Sequence, residues 1–340
     1  MGLEPAIDQR YGAERSGLLC GYVFEPGRAG RPIDADAGCD TLDALPDQGD
    51  GTFVWLHFNL ANQTSLRWLR QHLSLPAEFY ESLAQRSSTR VEVVPAWLVA
   101  VLNDVTMFGI ESYDVSSMSV AVRGSLLVSA RHTPLRSVDR LRAHVKSGET
   151  FGSALGLLAH LLRDQADVLA RLAAEAVLRV DAIEDDALAG RIGGNRAELG
   201  SLRRTLVRLR RLLAPEPAAL FRLLHHPADW MAGSDVERLR QSAEELAAAV
   251  ADCAALIERI RLLQEEVVAT LNEQTNRTLF LLTLVTVATL PMTIVSGLFG
   301  MNVGGMPLGQ HAHGFWIVLA MVVGMAGGGA WLVLRKRGRP

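Results

Sequence analysis

Residues 278–334 read TLFLLTLVTVATLPMTIVSGLFGMNVGGMPLGQHAHGFWIVLAMVVGMAGGGAWLVL, 57 consecutive positions without Asp, Glu, Lys or Arg. A charge-free run of that length cannot be one helix of an ordinary soluble domain. Two spans of about 20 residues joined by a short turn, each crossing roughly 30 Å of hydrocarbon, account for it. A wholly soluble protein is therefore excluded. The spans fall at 278–300 and 315–334, with 301–314 as the loop between them.

The tail that follows, 335–340, is basic (Arg335, Lys336, Arg337, Arg339), and the positive-inside rule puts it in the cytoplasm. Two crossings then return the N-terminal part to the same side. That part is acidic, with 30 Lys+Arg against 37 Asp+Glu in residues 1–277, whereas the whole chain carries only −3. The first residues hold an early acid, Glu4, and no apolar run of signal-peptide length, so no secretory signal is expected. Cys20, Cys39 and Cys253 are odd in number and scattered, which favours neither a disulfide framework nor a thiolate zinc site.

Upstream of the first span, Ser234-Asp235-Val236-Glu237 has capping-box spacing, and no Gly or Pro follows until Pro291. A continuous helix over 234–299 has 66 residues and is about 99 Å long, which requires support from neighbours or from copies of itself. Residues 234–277 form its stalk. Residues 151–233 are rich in Ala, Leu, Arg and Glu and read as a helical bundle, with helices at 153–187 and 196–213 and breaks at 190–195 and at Pro215 and Pro217. Residues 1–150 read as an α/β domain. Its strands are expected at 18–24, 53–58, 91–94, 97–105, 115–122 and 126–129, its helices at 65–72, 76–85 and 134–146, and the rest of the first 50 residues as loop. The fold class is an α+β cytoplasmic domain followed by long helices and a two-span C-terminal transmembrane hairpin.

Steps of three and four along the long helix from Glu258 give Leu262, Glu265, Ala269, Asn272, Asn276, Leu279, Thr283, Thr286, Leu290, Thr293 and Gly297. A lipid-facing stripe is Leu, Ile, Val or Phe, so this polar and small-residue seam reads as water-lined or helix-facing. The bland alternative is that each Thr hydroxyl bonds back to its own helix. The adjoining apolar stripe, Leu256, Ile260, Leu263, Val267 and Leu271, is expected to pack against another helix. Copies arranged round an axis would turn each seam position into a ring of oxygens, with the carboxylates of Glu258 and Glu265 on the cytoplasmic side. Pro291 is expected to bend the first span, and Gly324, Gly327, Gly328 and Gly329 to allow close packing of the second.

At the outer end of the first span, Pro291-Met292-Thr293-Ile294-Val295-Ser296-Gly297 leads through Leu298-Phe299 to Gly300-Met301-Asn302. This motif, before the second of two C-terminal spans, resembles the signature of the CorA-type divalent metal ion transporters. The continuation Val303-Gly304-Gly305-Met306-Pro307, then Gly314-Phe315-Trp316, is most like the zinc-transporting ZntB branch. The likeness is specific over 291–316, with weaker echoes in Phe53-Val54-Trp55-Leu56-His57 and the long helices. It implies a CorA-like funnel, a homopentamer in the lipid bilayer of a bacterial inner membrane, with both termini cytoplasmic and five long helices lining a pore. It further implies that Asn302 forms an amide ring at the periplasmic mouth, that Gly300 lets the chain turn and that Met301 packs. Asn276, Thr283, Leu290 and Thr293 would line the pore, in agreement with the seam.

Magnesium-selective relatives usually carry a Glu where this chain has Leu308, and His311 and His313 are ligands suited to zinc, nickel or cobalt. The transported ion is accordingly expected to be zinc, with magnesium or cobalt as the alternative, and no resident cofactor is called for. The zinc relatives are associated with proton-coupled uptake. Neither span contains an acid, which excludes a carboxylate relay inside the membrane. His225-His226 and the run Asp181-Ala182-Ile183-Glu184-Asp185-Asp186 are read as solvated helix ends rather than ion sensors. No P-loop, H-E-x-x-H, G-x-S-x-G or G-x-G-x-x-G is present, so an enzyme is not expected. The acidic body argues against nucleic acid, and no protein partner beyond further copies is inferred. The reading from another class is a hairpin-anchored scaffold with no pore.

Overall fold

The computed structural model describes residues 16–44, 51–84, 89–106, 114–189, 191, 195–301 and 312–337. The chain divides into two compact units, Met1–Leu263 and Gln264–Pro340.

The first unit is built on one sheet of β1 (Leu18–Phe24), β2 (Arg31–Ile33), β3 (Phe53–Asn59), β4 (Arg90–Val94), β5 (Trp97–Val105), β6 (Val115–Arg123) and β7 (Leu126–Arg131), in the order β2-β1-β3-β7-β6-β5-β4. All neighbours run antiparallel except β3 and β7, which pair in parallel with Leu56 opposite Val128. The near-continuous apolar sequence of β3, FVWLHFN, follows from coverage of both sheet faces. Phe53 and Trp55 enter a core with Leu98, Leu102 and Val120 that is closed by α4 (Arg136–Lys146) and α5 (Ala154–Leu188). Val54, Leu56 and Phe58 point the other way, into a core with Trp68 and Leu69 of α2 (Gln63–His72) and Phe79 of α3 (Ala77–Ala84). His57 is fully buried on the Phe53 and Trp55 side of the strand. Its Nε2 accepts from Arg131 Nε at 3.0 Å and its Nδ1 meets Ser129 Oγ at 2.8 Å, while burial, with the Arg131 charge, holds its pKa well below the usual histidine range.

Two expectations need correction. The first 50 residues contain not only β1 but also the short edge strand β2 and α1 (Ala35–Ala44). The helix is opened by Asp34, whose Oδ1 accepts from the Ala37 N–H at 2.8 Å, a cap hidden in a sequence whose Gly and Asp content reads as loop. The Pro215–Pro217 break is also the start of a helix, α7 (Pro215–His225), because proline at the first position has no intrahelical N–H to lose. It follows α6 (Asn195–Leu213) almost without a gap.

At the start of α7, Glu216 is fully buried. Strand β4 ends opposite Val101, which leaves the outer N–H and C=O of Asn103 on β5 without a strand partner. Glu216 Oε1 accepts from that N–H and, at 3.1 Å, from Asn103 Nδ2, while Oε2 accepts from Gln165 Nε2 at 2.6 Å. Gln165 Nε2 also donates to the Asn103 carbonyl. Helices α5 and α7 are thereby pinned to the sheet.

Ser153 caps α5 by accepting from Gly156 N at 2.8 Å and donates to Asp235 Oδ1 at 2.8 Å, joining that cap to the first turn of α8 (Gly233–Phe299, 67 residues). Helix α8 runs unbroken through Pro291, as the continuous helix read from the sequence requires. Cys20, Cys39 and Cys253 carry free thiols.

Candidate functional site

The seam read from the sequence lies on α8, and its residues are placed by helical phase. Within the first unit the buried side of α8 includes Ala249, Cys253, Leu256, Ile260 and Leu263. On its flank Arg259 bridges to α5, reaching Asp181 at 2.7 Å and Glu184 at 2.5 Å. Two of the four acids in the run at 181–186 are therefore held by Arg259. Asp186 is paired as well, with Arg191 at 2.6 Å. Glu258 lies on the opposite, exposed side, 3.8 Å from Arg261. His225 and His226 are exposed at the end of α7.

The second unit holds the remainder of α8 together with α9 (Gly314–Arg337). Of the described helices, α8 is long and apolar enough to cross a membrane, and the apolar part of α9 is Gly314–Gly329. Three faces can be distinguished on the apolar end of α8. Phe280, Leu284, Val287, Ala288, Pro291 and Val295 are half-buried. Val287 touches Gly329 of α9, and a Cβ built on that glycine would stand 2.8 Å from Val287 Cγ1 and 3.9 Å from its carbonyl oxygen. That carbonyl is the one to which Pro291 offers no N–H, so this close approach of the helices falls where the backbone has lost a bond. A second face exposes Leu281, Leu282, Val285 and Met292. The third is the seam, where Asn276, Leu279, Thr283, Thr286, Leu290, Thr293 and Gly297 are all exposed, as is Glu265 below them.

Thr283, Thr286 and Thr293 donate to the carbonyls four residues back at 2.8, 2.8 and 2.9 Å. Thr289, which lies off the seam, does the same at 2.8 Å, so the bland alternative is correct as a statement about the hydroxyl protons. With its proton committed to the helix, each hydroxyl oxygen presents only lone pairs outward, the polarity a cation or its hydration water requires.

At the end of α8, Gly300 N donates to Ser296 O at 2.8 Å, and a Cβ at Gly300 would approach that same oxygen to 2.9 Å. Met301 is exposed. Asn302 and His311 lie outside the described residues. His313 is exposed, and its carbonyl accepts the first bond of α9 from Ile317 N at 3.2 Å.

The contact between α8 and α9 makes a direct prediction. Gly329→Val forces branched carbons into Val287, itself stiff at χ1, and is expected to destabilise the helix pair by about 1–3 kcal/mol. Gly324→Ala, whose Cβ meets nothing within 4 Å, should have no such effect. Thermal unfolding of the two purified variants in detergent compares them.

Comparison with known proteins places the whole chain rather than these side chains. Residues 50–337 match the family described as CorA-like Mg2+ transporter protein. The chain is 31% identical to the divalent cation transporter CmaX of Pseudomonas aeruginosa, over 96% of this chain and 98% of that one. It is 30% identical to the zinc transport protein ZntB of Pectobacterium carotovorum subsp. carotovorum, over 83% of this chain and 87% of that one. A solved structure of full-length CmaX superposes with a TM-score of 0.79 at 28% identity, covering 95% of this chain and 99% of that one.

Proposed function

The chain belongs to the family of CorA-like Mg2+ transporter proteins, and we propose that it carries divalent cations, zinc first among them, across a bacterial inner membrane through a homopentameric pore. The observation that carries this reading is the exposed seam of α8, acidic at Glu258 and Glu265 and hydroxyl- and amide-bearing from Asn276 to Thr293. On a lone membrane helix such a face would be costly. Gathered round a five-fold axis it becomes a hydrated path whose oxygens replace or orient the water of a divalent ion. In this arrangement residues 278–300 and 315–334 form a hairpin with cytoplasmic ends, residues 1–150, 151–233 and 234–277 are its cytoplasmic domain, bundle and stalk, and Asn302 forms the outer ring.

Zinc is favoured by Leu308 in place of an acid, by the imidazoles of His311 and His313, and by the name of the ZntB relative. The family's description favours magnesium as the second reading. Uptake into liposomes containing the purified protein tests both. Zinc flux is expected to fall about tenfold or more in Asn302→Ala, to resist excess magnesium, and to respond to a pH gradient when uptake is proton-coupled. Magnesium that blocks the flux moves the assignment to magnesium. Absence of flux from intact oligomers would leave an anchored scaffold.

A further inference from the structure

Helix α4 ends in a Schellman turn. Gly148, at φ +91°, donates to Val145 O at 3.2 Å, and Glu149 N donates to His144 O at 3.2 Å. That turn normally joins two apolar side chains at its first and last positions, but here it joins His144 to Glu149, with His144 Nδ1 3.0 Å from Glu149 Oε2. Helix α5 brings in His160, whose Nδ1 is 3.6 Å from Glu149 Oε1 and whose ring stands edge-on to His144 with centroids 4.9 Å apart. Behind the two rings lies Asp164, 3% exposed, with Oδ1 3.6 Å from His144 Nε2 and Oδ2 3.7 Å from His160 Nε2.

We infer that His144, Glu149 and His160 form a cytoplasmic binding site for a divalent transition-metal ion, with Asp164 as the carboxylate that orients both imidazoles from behind. The facing ligand atoms of the three residues already lie within 4.8 Å of one another. Metal-bound histidines characteristically turn their second N–H toward a carboxylate, and Asp164 stands on that side of both rings. Its Oδ2 is buried and makes no hydrogen bond, as expected of a group waiting on ring N–H donors that a metal would fix in place. Arg140 neutralises the other oxygen, with Nε 3.4 Å from Oδ1, and also reaches Asp167 at 3.1 Å. Arg163 is drawn off to Glu245 at 3.2 Å.

Two nitrogens and one carboxylate suit zinc, cobalt or nickel, whereas magnesium takes oxygen. Beside Glu149 and His160 opens a cleft of about 300 Å³ that also touches Phe151, Gln241 and two arginines, Arg163, paired with Glu245, and Arg238, 3.8 Å from Asp235. Solvent there would complete the coordination, which makes the site exchangeable rather than closed. Occupancy would clamp the turn at 147–150 between α4 and α5. The site is built wholly within the first unit, from α4, the turn after it and α5, and does not depend on the pore.

Cobalt(II) titration of the full-length, tag-free protein in detergent tests the assignment through its visible d–d absorption. One saturating site per chain with imidazole ligation is expected, confirmed by X-ray absorption of the bound ion. His144→Ala and Glu149→Gln, both at positions whose side chains are 39% exposed, should each weaken binding about tenfold or more with an unchanged fold by circular dichroism. Asn302→Ala should leave the part of the isotherm that depends on His144 and Glu149 as it is. A spectrum and affinity unchanged in the His144→Ala, Glu149→Gln double variant would overturn the inference, as would a signal that disappears with Asn302→Ala instead.

Discussion

Divalent-cation flux in proteoliposomes is expected to fall by about a hundredfold or more in Thr283→Lys and to stay within about twofold of wild type in Thr289→Leu. The two positions are six residues apart, about 240° round the helix, and both side chains make the same hydrogen bond to their own backbone. They differ only in the face they occupy. Thr283 lies on the seam between Leu279 and Thr286, whereas Thr289 stands away from it. In a five-fold assembly the Thr283→Lys substitution would bring five ammonium groups to one level of the path. At a separation of about 6 Å they would repel a doubly charged ion by roughly 7 kcal/mol even at the dielectric constant of water. Screening by salt lowers that figure, yet a hundredfold effect needs only about 2.7 kcal/mol. Thr283→Ser, which keeps the oxygen, should conduct, and the oligomer mass of each variant should match wild type. Undiminished flux in Thr283→Lys would remove the seam from the ion path.

The same seam shows how far sequence could be read. A period of 3.6 residues identifies which side chains share a face, so Glu258 to Gly297 could be aligned and the apolar stripe Leu256, Ile260 and Leu263 assigned to packing before any coordinates. Strands β3 and β5 were equally legible, because burial on both faces leaves a short, near-continuous run of apolar, β-branched and aromatic residues. What a face meets is a different matter. That Gly329 lies on Val287, opposite the bond lost at Pro291, depends on the relative position of two helices, which no periodicity contains. Helix α1 was hidden because its residues favour helix weakly and its cap, Asp34, lies in Asp-rich surroundings. Helix α7 was hidden because its prolines read as a stop, although they also fit a start. The His144–Glu149 pair had a local signal in Gly148 after a helix end, while its completion by His160 and Asp164 required knowing how α4 packs on α5. Asn302 and His311, which carry much of the proposed selectivity, rest on the sequence alone, the first on the motif and the second on its residue type.

Glu216→Ala is expected to destabilise the first unit by about 3–4 kcal/mol, since it strands the buried Asn103 N–H, takes one acceptor each from the Asn103 and Gln165 amides and leaves a cavity. Glu216→Gln keeps the volume and one acceptor and should cost about 1 kcal/mol or less. The two variants also separate in pH dependence. Burial pushes the Glu216 carboxyl up to about 8 from its ordinary 4.5, against the three hydrogen bonds it accepts, and nearby Asp104 adds to the rise. The folded chain therefore holds this proton over a range in which the unfolded chain has released it. Stability from this group is fully present below about 4.5 and is lost as pH rises toward about 8, with a slope approaching 1.4 kcal/mol per pH unit. Asp104, raised by burial to about 6, acts with the same sign over a lower window. Urea unfolding of wild type followed by tryptophan fluorescence should thus show a midpoint that falls between pH 5 and pH 8, a window set by the Glu216 shift. In Glu216→Gln the decline above pH 7, where Asp104, raised to about 6, is already mostly ionised, should flatten. A decline of equal steepness in that variant would show that Glu216 is ionised throughout and that its three donors outweigh its burial.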